Sequence, residues 1–555
     1  MRKYALGLDF GTLSVRALIA DIETGQEAAS VSMDYPHGVM DVALPDGTNL
    51  PPEWALQHPE DYLLCLRSVI PQAIRQTGVH AEDIVGVGVD GTSCTMIATD
   101  GDGTPLCLLP GFAGEKHAWP KLWKHHAAQS QADRMTERAV SRGESFIAPY
   151  GGKISSEWLF PKIWQTLEEA PDVYDAADRF VDLADWVVSL LTGERVYSAC
   201  LMGYKAFWNS HDGYPSEDFF GSLDPKLRHV VRDKLRGNVL PVCGRAGFVT
   251  EGAARLTGLA PGTPVAVATA DAHAALSAAN VTQPGRMLMI MGTSTVHLAI
   301  GGDGHAVPGI CGVHSAGVYP GVPVYEAGQC CVGDHFNWFV RTLMPGDYSR
   351  EAEARGMDAH QLLTEKAAAL KPGQSGLLAL DWWNGNRSIL NDSDLSGLIL
   401  GMSLTTRPEE IYRALIEATA FGTRMIIENF ESHGVPVCEL CACGGISGKN
   451  RFMMQLYADA LQRPIRLARN PQSSALGSAI MGALAAGSNN GGYDDYREAA
   501  SHMGGVQSEI YVPNPVAGAV YDKLYAEYRR LHDFFGRGGS NVMKALKNIQ
   551  SHTLI

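Results

Sequence analysis

The chain carries one strand-turn-strand unit twice, and that repeat limits its fold more than any other feature. Near the N-terminus the alternating apolar run Tyr4 to Leu8 leads through Asp9-Phe10 into Gly11-Thr12-Leu13-Ser14, and a second apolar run, Val15 to Ala20, comes straight back. This pattern predicts a β-hairpin. About half a chain later, Arg286 to Met291, Gly292-Thr293-Ser294 and Thr295 to Ile300 repeat it. A period that long excludes a solenoid and predicts two domains of similar α/β architecture, each opening with a hairpin. A length of 555 residues agrees, being too great for one hydrophobic core.

The turn supplies chemistry as well as topology. Gly11 lets the backbone approach a ligand, Thr12 and Ser14 offer hydroxyls and amides, and Asp9 places a carboxylate at the strand end. Such a turn can hold a phosphate and its metal, although Asp-x-Gly-Thr also serves as an ordinary hairpin turn. A related phrase ends the β-branched run Ile84 to Val89 in Asp90-Gly91-Thr92, followed by strand-like Cys94 to Thr99 and the hairpin-type turn Asp100-Gly101-Asp102-Gly103. A fourth glycine turn, Gly444-Gly445, closes the strand-like run Cys438 to Cys443 and precedes a helix predicted over Arg451 to Leu461. Glycines there let a flat ring lie on the backbone beside a helix N-terminus. Helical spacing also covers Trp54 to Thr77 and Arg407 to Phe430.

Charge narrows the partners. A net charge of −15 gives no electrostatic reason to hold nucleic acid or an anionic membrane, so a bound phosphate must be small and held locally. The most apolar stretch, Ala475 to Ala486, is shorter than the roughly 20 residues a membrane span needs. The N-terminus lacks the apolar core of a signal peptide, and eleven cysteines in a large chain suit reduced thiols, which together predict a cytoplasmic protein. The C-x-x-C at Cys438 and Cys441 reads as strand packing rather than a zinc or redox site. Asp271 ends the apolar run Val265 to Ala270 ahead of a small-residue helix, so by residue type alone it is either a helix cap or a reactive carboxylate. His125 and His126, expected on a helix, read as structural because adjacent helical residues face different ways.

Taken in order, Asp9-Phe10-Gly11-Thr12, Asp90-Gly91-Thr92, Gly292-Thr293-Ser294-Thr295 and Gly444-Gly445 resemble the actin, hexokinase and Hsp70 ATPase superfamily, and more narrowly the FGGY carbohydrate kinases. Lys153 to Trp164, Gly397 to Met402 and Glu410 to Glu417 carry the narrower match, and Leu122 to Gln129 with Leu201 to Lys205 are similar to the ribulokinase branch. The resemblance implies an α/β fold of two ribonuclease H-like, actin-like ATPase domains with an interdomain active-site cleft. These are expected over 1–278, holding the sugar, the first phosphate hairpin and the catalytic aspartate, and over 279–555, holding the nucleotide, with a C-terminal helical extension from about 490.

It further implies transfer of the γ-phosphoryl group of Mg-ATP to a ketopentose, L-ribulose going to L-ribulose 5-phosphate in L-arabinose breakdown. D-ribulose or another ketopentose or pentitol is the alternative acceptor, and a nucleotide-driven switch the alternative of another class. The implied cofactors are ATP and Mg²⁺, and the partners are the small sugar and ATP, with a homodimer left open. By resemblance Asp271 is the catalytic base and Asp9 the metal holder. Gly11, Thr12, Ser14, Arg16, Gly292, Thr293, Gly444, Gly445, Lys449 and Asn450 bind the nucleotide. Ser93, Lys205, Asp271, Glu326 and Trp123 bind the sugar, with Lys205 expected where a strand gives way to a loop.

Overall fold

The N-terminal hairpin forms as its pattern requires. Tyr4–Phe10 and Ser14–Asp21 pair antiparallel, with Asp9 opposite Arg16, and the Gly11 amide donates to the Ser14 carbonyl at 2.9 Å to close the turn. The computed structural model describes residues 2–553 and divides into two compact units. The first comprises Met1–Thr282, Val313–Val324 and Gln472–Gly505; the second comprises Gln283–Gly312, Tyr325–Pro471 and Val506–Ile555. The expected division was a single boundary after residue 278. Here residues 313–324 and 472–505, both beyond it, pack with the first unit.

In the first unit the sheet runs Glu27–Asp34, Ser14–Asp21, Tyr4–Phe10, Ile84–Gly91, Pro264–Ala266, Arg245–Phe248, with Thr269–Ala270 also pairing to Ile84–Gly91. Ile84–Gly91 does not form a hairpin with the residues after it, as the repeated phrase suggested. It lies parallel to Tyr4–Phe10 in a register that sets Asp9 beside Asp90, and Thr269 pairs with Asp90 on its other side. Met96–Thr99 instead pairs with Arg179–Asp182. The helix expected from Trp54 begins at Pro59 and ends at Thr77. A residue before proline disfavours helical geometry, so His58 caps and Pro59 takes the first turn.

Helix Ser473–Ala486 explains why late residues belong to the early unit. Its glycines and alanines allow backbone-to-backbone approach: a Cβ added at Gly7 would meet the Ala475 carbonyl at 1.8 Å, and one at Gly88 the Ser478 carbonyl at 1.8 Å. Only glycine fits such strand positions.

The second unit repeats the strand order in Val322–Gln329, Thr295–Ile300, Gly285–Met291, Val437–Cys443, Ile465–Ala468, Val506–Tyr511. Helix Pro408–Ser432 buries an Arg413–Glu417 pair at 2.8 Å, and the Tyr521 hydroxyl of helix Pro515–Gly536 bonds to Arg413 at 2.7 Å. The C-terminal extension expected from about 490 is therefore divided: residues up to 505 pack with the first unit, and helix Pro515–Gly536 packs into the core of this one. Among the described residues no helix is long and apolar enough to cross a membrane.

Candidate active site

Parallel pairing brings three acids to one edge of the first unit's sheet. Asp9 and Asp90 lie side by side, and the chain leaves Thr269–Ala270, the neighbouring strand, directly into helix Asp271–Ala278. Asp271 is the first residue of that helix and Ala270 its cap, so the cap reading fails. The Asp271 carboxylate accepts from the adjacent Ala272 amide at 2.7 Å.

The surroundings set the ionisation of each acid. Burial pushes Asp271 up to about 6, the Asp9 charge adds to the rise, and the Ala272 amide, His273 and Lys205 oppose it. Burial also raises Asp9, against a bond from Asp90 and the charge of Arg16. Burial and the facing Asp9 charge both disfavour the anion of the wholly buried Asp90 and hold it well above the usual carboxylate range, while Ser478 Oγ donates to it at 2.5 Å. Arg16 stands across the hairpin with Nη1 3.5 Å from Asp9, its side chain 28 % exposed. It therefore points along the acidic edge and is not an outward strand residue.

Around these acids lie the other expected residues of this unit. Gly11 and Ser14 close the hairpin turn. Thr12 Oγ accepts from Trp123 Nε1 at 3.1 Å, which joins Trp123 to the turn itself. Ser93 Oγ is buried with no hydrogen-bond partner among the described residues. Lys205 is the last residue of helix Ala199–Lys205, not a strand end, because Ser198 caps that helix through the Cys200 amide. Its charge acts on both Asp271 and Cys94, so these parts of the site are neighbours. Residues 121–128 form turns, not the expected helix, yet His125 is structural as read: it is buried, with Nε2 3.0 Å from Gln165 Oε1.

Two residues of this unit escaped the sequence-based site. Asp90 was visible only as part of a turn. Lys162, buried in helix Leu159–Glu169, donates to the Cys94 carbonyl at 2.7 Å and the Leu122 carbonyl at 2.9 Å. It ties the loop bearing Ser93 to the loop bearing Trp123, and its signal was a lone lysine inside Leu159-Phe160-Pro161-Lys162-Ile163-Trp164.

The second unit presents a different face. The Gly292 amide donates to the Ser294 carbonyl at 2.9 Å, closing a turn like the first, and the Thr293 side is exposed. Gly333 donates back to the Gly292 carbonyl at 3.0 Å and Val332 to the Thr293 carbonyl at 2.8 Å, so the start of helix Gly333–Thr342 braces this turn. Gly444 has φ +96°, and a Cβ there would meet the Met291 carbonyl at 2.5 Å, whereas nothing lies within 4 Å of one at Gly445. That open, exposed backbone can take a flat ring. Lys449 is exposed, and Asn450 caps helix Arg451–Leu461, its Oδ1 accepting the Met453 amide at 2.9 Å and its Nδ2 lying 3.3 Å from Thr364 Oγ1. Glu326 is half-buried on strand Val322–Gln329.

A model of the N-terminal domain of the FGGY family of carbohydrate kinases matches residues 4–277, and one of its C-terminal domain matches residues 287–486. The chain belongs to this family of carbohydrate kinases. Among curated relatives of this FGGY protein, the ribulokinase of Bacillus licheniformis is 53 % identical over 543 residues, covering 97 % of this chain and 98 % of its own. That of Halalkalibacterium halodurans is 51 % identical over 550 residues, covering 99 % and 98 %. Of solved structures, xylulose kinase from Rhodospirillum rubrum aligns with TM-score 0.77 at 24 % identity over 96 % of this chain and 98 % of that one. Plasmodium falciparum glycerol kinase with ADP aligns with TM-score 0.74 at 16 % identity over 95 % and 98 %. Their fold, the two-domain actin-like ATPase fold of sugar kinases, is the fold of this FGGY chain.

Proposed function

We propose that this protein is a ribulokinase, moving the γ-phosphoryl group of Mg-ATP to a hydroxyl of ribulose, with L-ribulose to L-ribulose 5-phosphate in L-arabinose breakdown as the preferred reaction. Two relatives of that name match at 53 % and 51 % identity over nearly the whole chain. The single observation that carries the chemistry is the half-buried Asp271 opening its helix at the sheet edge that bears Asp9, with the Lys205 charge acting on it and its carboxyl pushed up to about 6.

Phosphoryl transfer to an alcohol needs the acceptor hydroxyl placed in line, its proton taken as the bond forms, and the phosphoryl charge met. Asp271 takes that proton: a carboxylate with a raised pKa is a stronger base and is still ionised at neutral pH. Lys205 orients a sugar oxygen, and Ser93, whose buried Oγ has an open bond, pairs with another; Trp123 and Glu326 complete the sugar contacts. Thr12 and Ser14 donate to the phosphoryl oxygens, Gly11 leaves room for their approach, and Arg16 offsets their charge. Gly292 and Thr293 hold the inner phosphates, and the open Gly444-Gly445 backbone with Lys449 and Asn450 lines the adenosine.

Mg²⁺ fits the donor set, because Asp9 with Asp90 beside it offers the hard carboxylate oxygens that magnesium takes, usually through its own waters. When bound, Mg²⁺ shields the phosphate charge. The reduced-thiol composition supports a cytoplasmic location.

The test follows the product. Incubation with Mg-ATP and each of L-ribulose, D-ribulose, D-xylulose, ribitol and glycerol, read by phosphorus NMR, should give one new phosphomonoester signal, strongest with L-ribulose. A signal equal for all five, or none, would contradict the assignment.

A further inference from the structure

Thr12 is gripped from two sides. Trp123 Nε1 donates to its hydroxyl oxygen at 3.1 Å, and Gln57 Nε2 donates to its backbone carbonyl at 2.8 Å. Gln57 is 1 % exposed. Its amide oxygen accepts from the Tyr62 hydroxyl at 2.6 Å, and Tyr62 is itself fully buried, edge-on to Phe10, Tyr35 and Trp186.

These contacts have a direction. A flipped Gln57 amide would set oxygen against the Thr12 carbonyl, two acceptors facing each other, so the Tyr62 bond and the Thr12 bond enforce one orientation. An indole N–H can only donate, so it fills the acceptor side of the Thr12 hydroxyl and leaves that group's one hydrogen to point elsewhere. With its carbonyl tied back and its oxygen engaged, Thr12 is presented as a donor. An anionic phosphoryl oxygen is the matching acceptor.

We infer that Gln57, fixed by Tyr62, is a positioning residue for phosphoryl transfer: it locks the Thr12 turn in the conformation that donates to the transferring group. Gln57 is buried behind the turn and acts through Thr12. The inference rests on the reading of this turn as a phosphoryl holder. Its sequence signal was slight, a glutamine in the loop before Pro59 that no motif singled out.

Gln57→Met keeps the volume of the side chain and removes both bonds; Tyr62→Phe leaves the amide in place but unguided. In the full-length enzyme with saturating L-ribulose, Gln57→Met should lower kcat about 10- to 100-fold, the scale of a misplaced reacting group, with Tyr62→Phe lowering it less. KM for ATP and for ribulose should stay within about 3-fold, because an interaction made only in the transition state leaves ground-state binding unchanged. Affinity for Mg-ADP-fluoroaluminate, a mimic of the transferring phosphoryl group, should fall in parallel with kcat while affinity for Mg-ADP does not. An unchanged kcat in Gln57→Met, or equal losses of Mg-ADP and fluoroaluminate binding, would overturn the proposal. Thr12→Ala separates the two layers: if it too leaves kcat intact, the phosphoryl reading of the turn fails; if it is impaired while Gln57→Met is not, only the positioning role fails.

Discussion

In the proposed mechanism Asp271 takes the acceptor's proton, and its surroundings set the pH at which it can act. With burial and the Asp9 charge raising it to about 6, kcat should fall about tenfold per unit on the acid side of that value. Asp271→Asn should lower kcat by about 10²- to 10⁴-fold, the usual worth of a general base, with KM for ribulose little changed. The same shift makes a stability prediction of definite sign. A carboxyl raised from about 3.9 when unfolded to about 6 when folded binds more protons in the native state between those values. Its contribution is therefore most favourable below about 4 and is lost as pH rises through 6. Thermal melting of Asp271→Asn should exceed that of the parent at pH 8, with the gap closing by pH 4; a mutant that melts lower at pH 8 would show that the carboxylate is not strained by its burial. Most of these residues were legible in sequence because each sits in a local phrase, a strand running into a glycine turn or a small-residue helix. Asp90, Lys162 and Gln57 were not, because what recruits them is a partner far along the chain.

At the scale of elements, the first unit depends on helix Ser473–Ala486, from late in the chain, lying against its opening strands. A Cβ at Gly86 would meet the Gly482 carbonyl at 2.0 Å, and one at Gly88 the Ser478 carbonyl at 1.8 Å. Neither contact can be relieved by a rotamer, so Gly86→Ala and Gly88→Ala should each destabilise the protein by about 1–3 kcal/mol, the cost of overpacking. Denaturant melts with unchanged m-values would check this, and a neutral Gly88→Ala would contradict the close packing. Such an alanine should also disturb Asp90, which Ser478 holds from the same helix. Hairpin strands and the helices at Arg451–Leu461 and Pro408–Ser432 were readable because period and turn chemistry are local signals. The packing of Ser473–Ala486 was not: its composition announces a buried helix but not its partner about four hundred residues away. The late start at Pro59 and the parallel placement of Ile84–Gly91 were likewise decided by one proline and by strand pairing, not by periodicity.

At the scale of the molecule, two units of the same strand order have diverged in chemistry. Where the first sets Asp9 beside Asp90, the register of the second sets Ile290 beside Cys443. The paired acids thus belong to one copy of the repeat, while the second carries the glycine turns that we propose for phosphates and a base. The repeat announced the two units, but not that the first is completed by residues 313–324 and 472–505. Expressed alone, residues 1–282 should therefore fail to show a cooperative melt, whereas the same fragment joined by flexible linkers to residues 313–324 and 472–505 should regain one; cooperative melting of the short fragment would refute the shared core. The decisive measurement is ADP release from Mg-ATP, with and without L-ribulose, on the parent and Asp271→Asn in parallel. Turnover should depend on the sugar and collapse in the mutant. Turnover indifferent to both the sugar and the mutation would contradict the proposed mechanism and leave an ATPase without a sugar kinase's base.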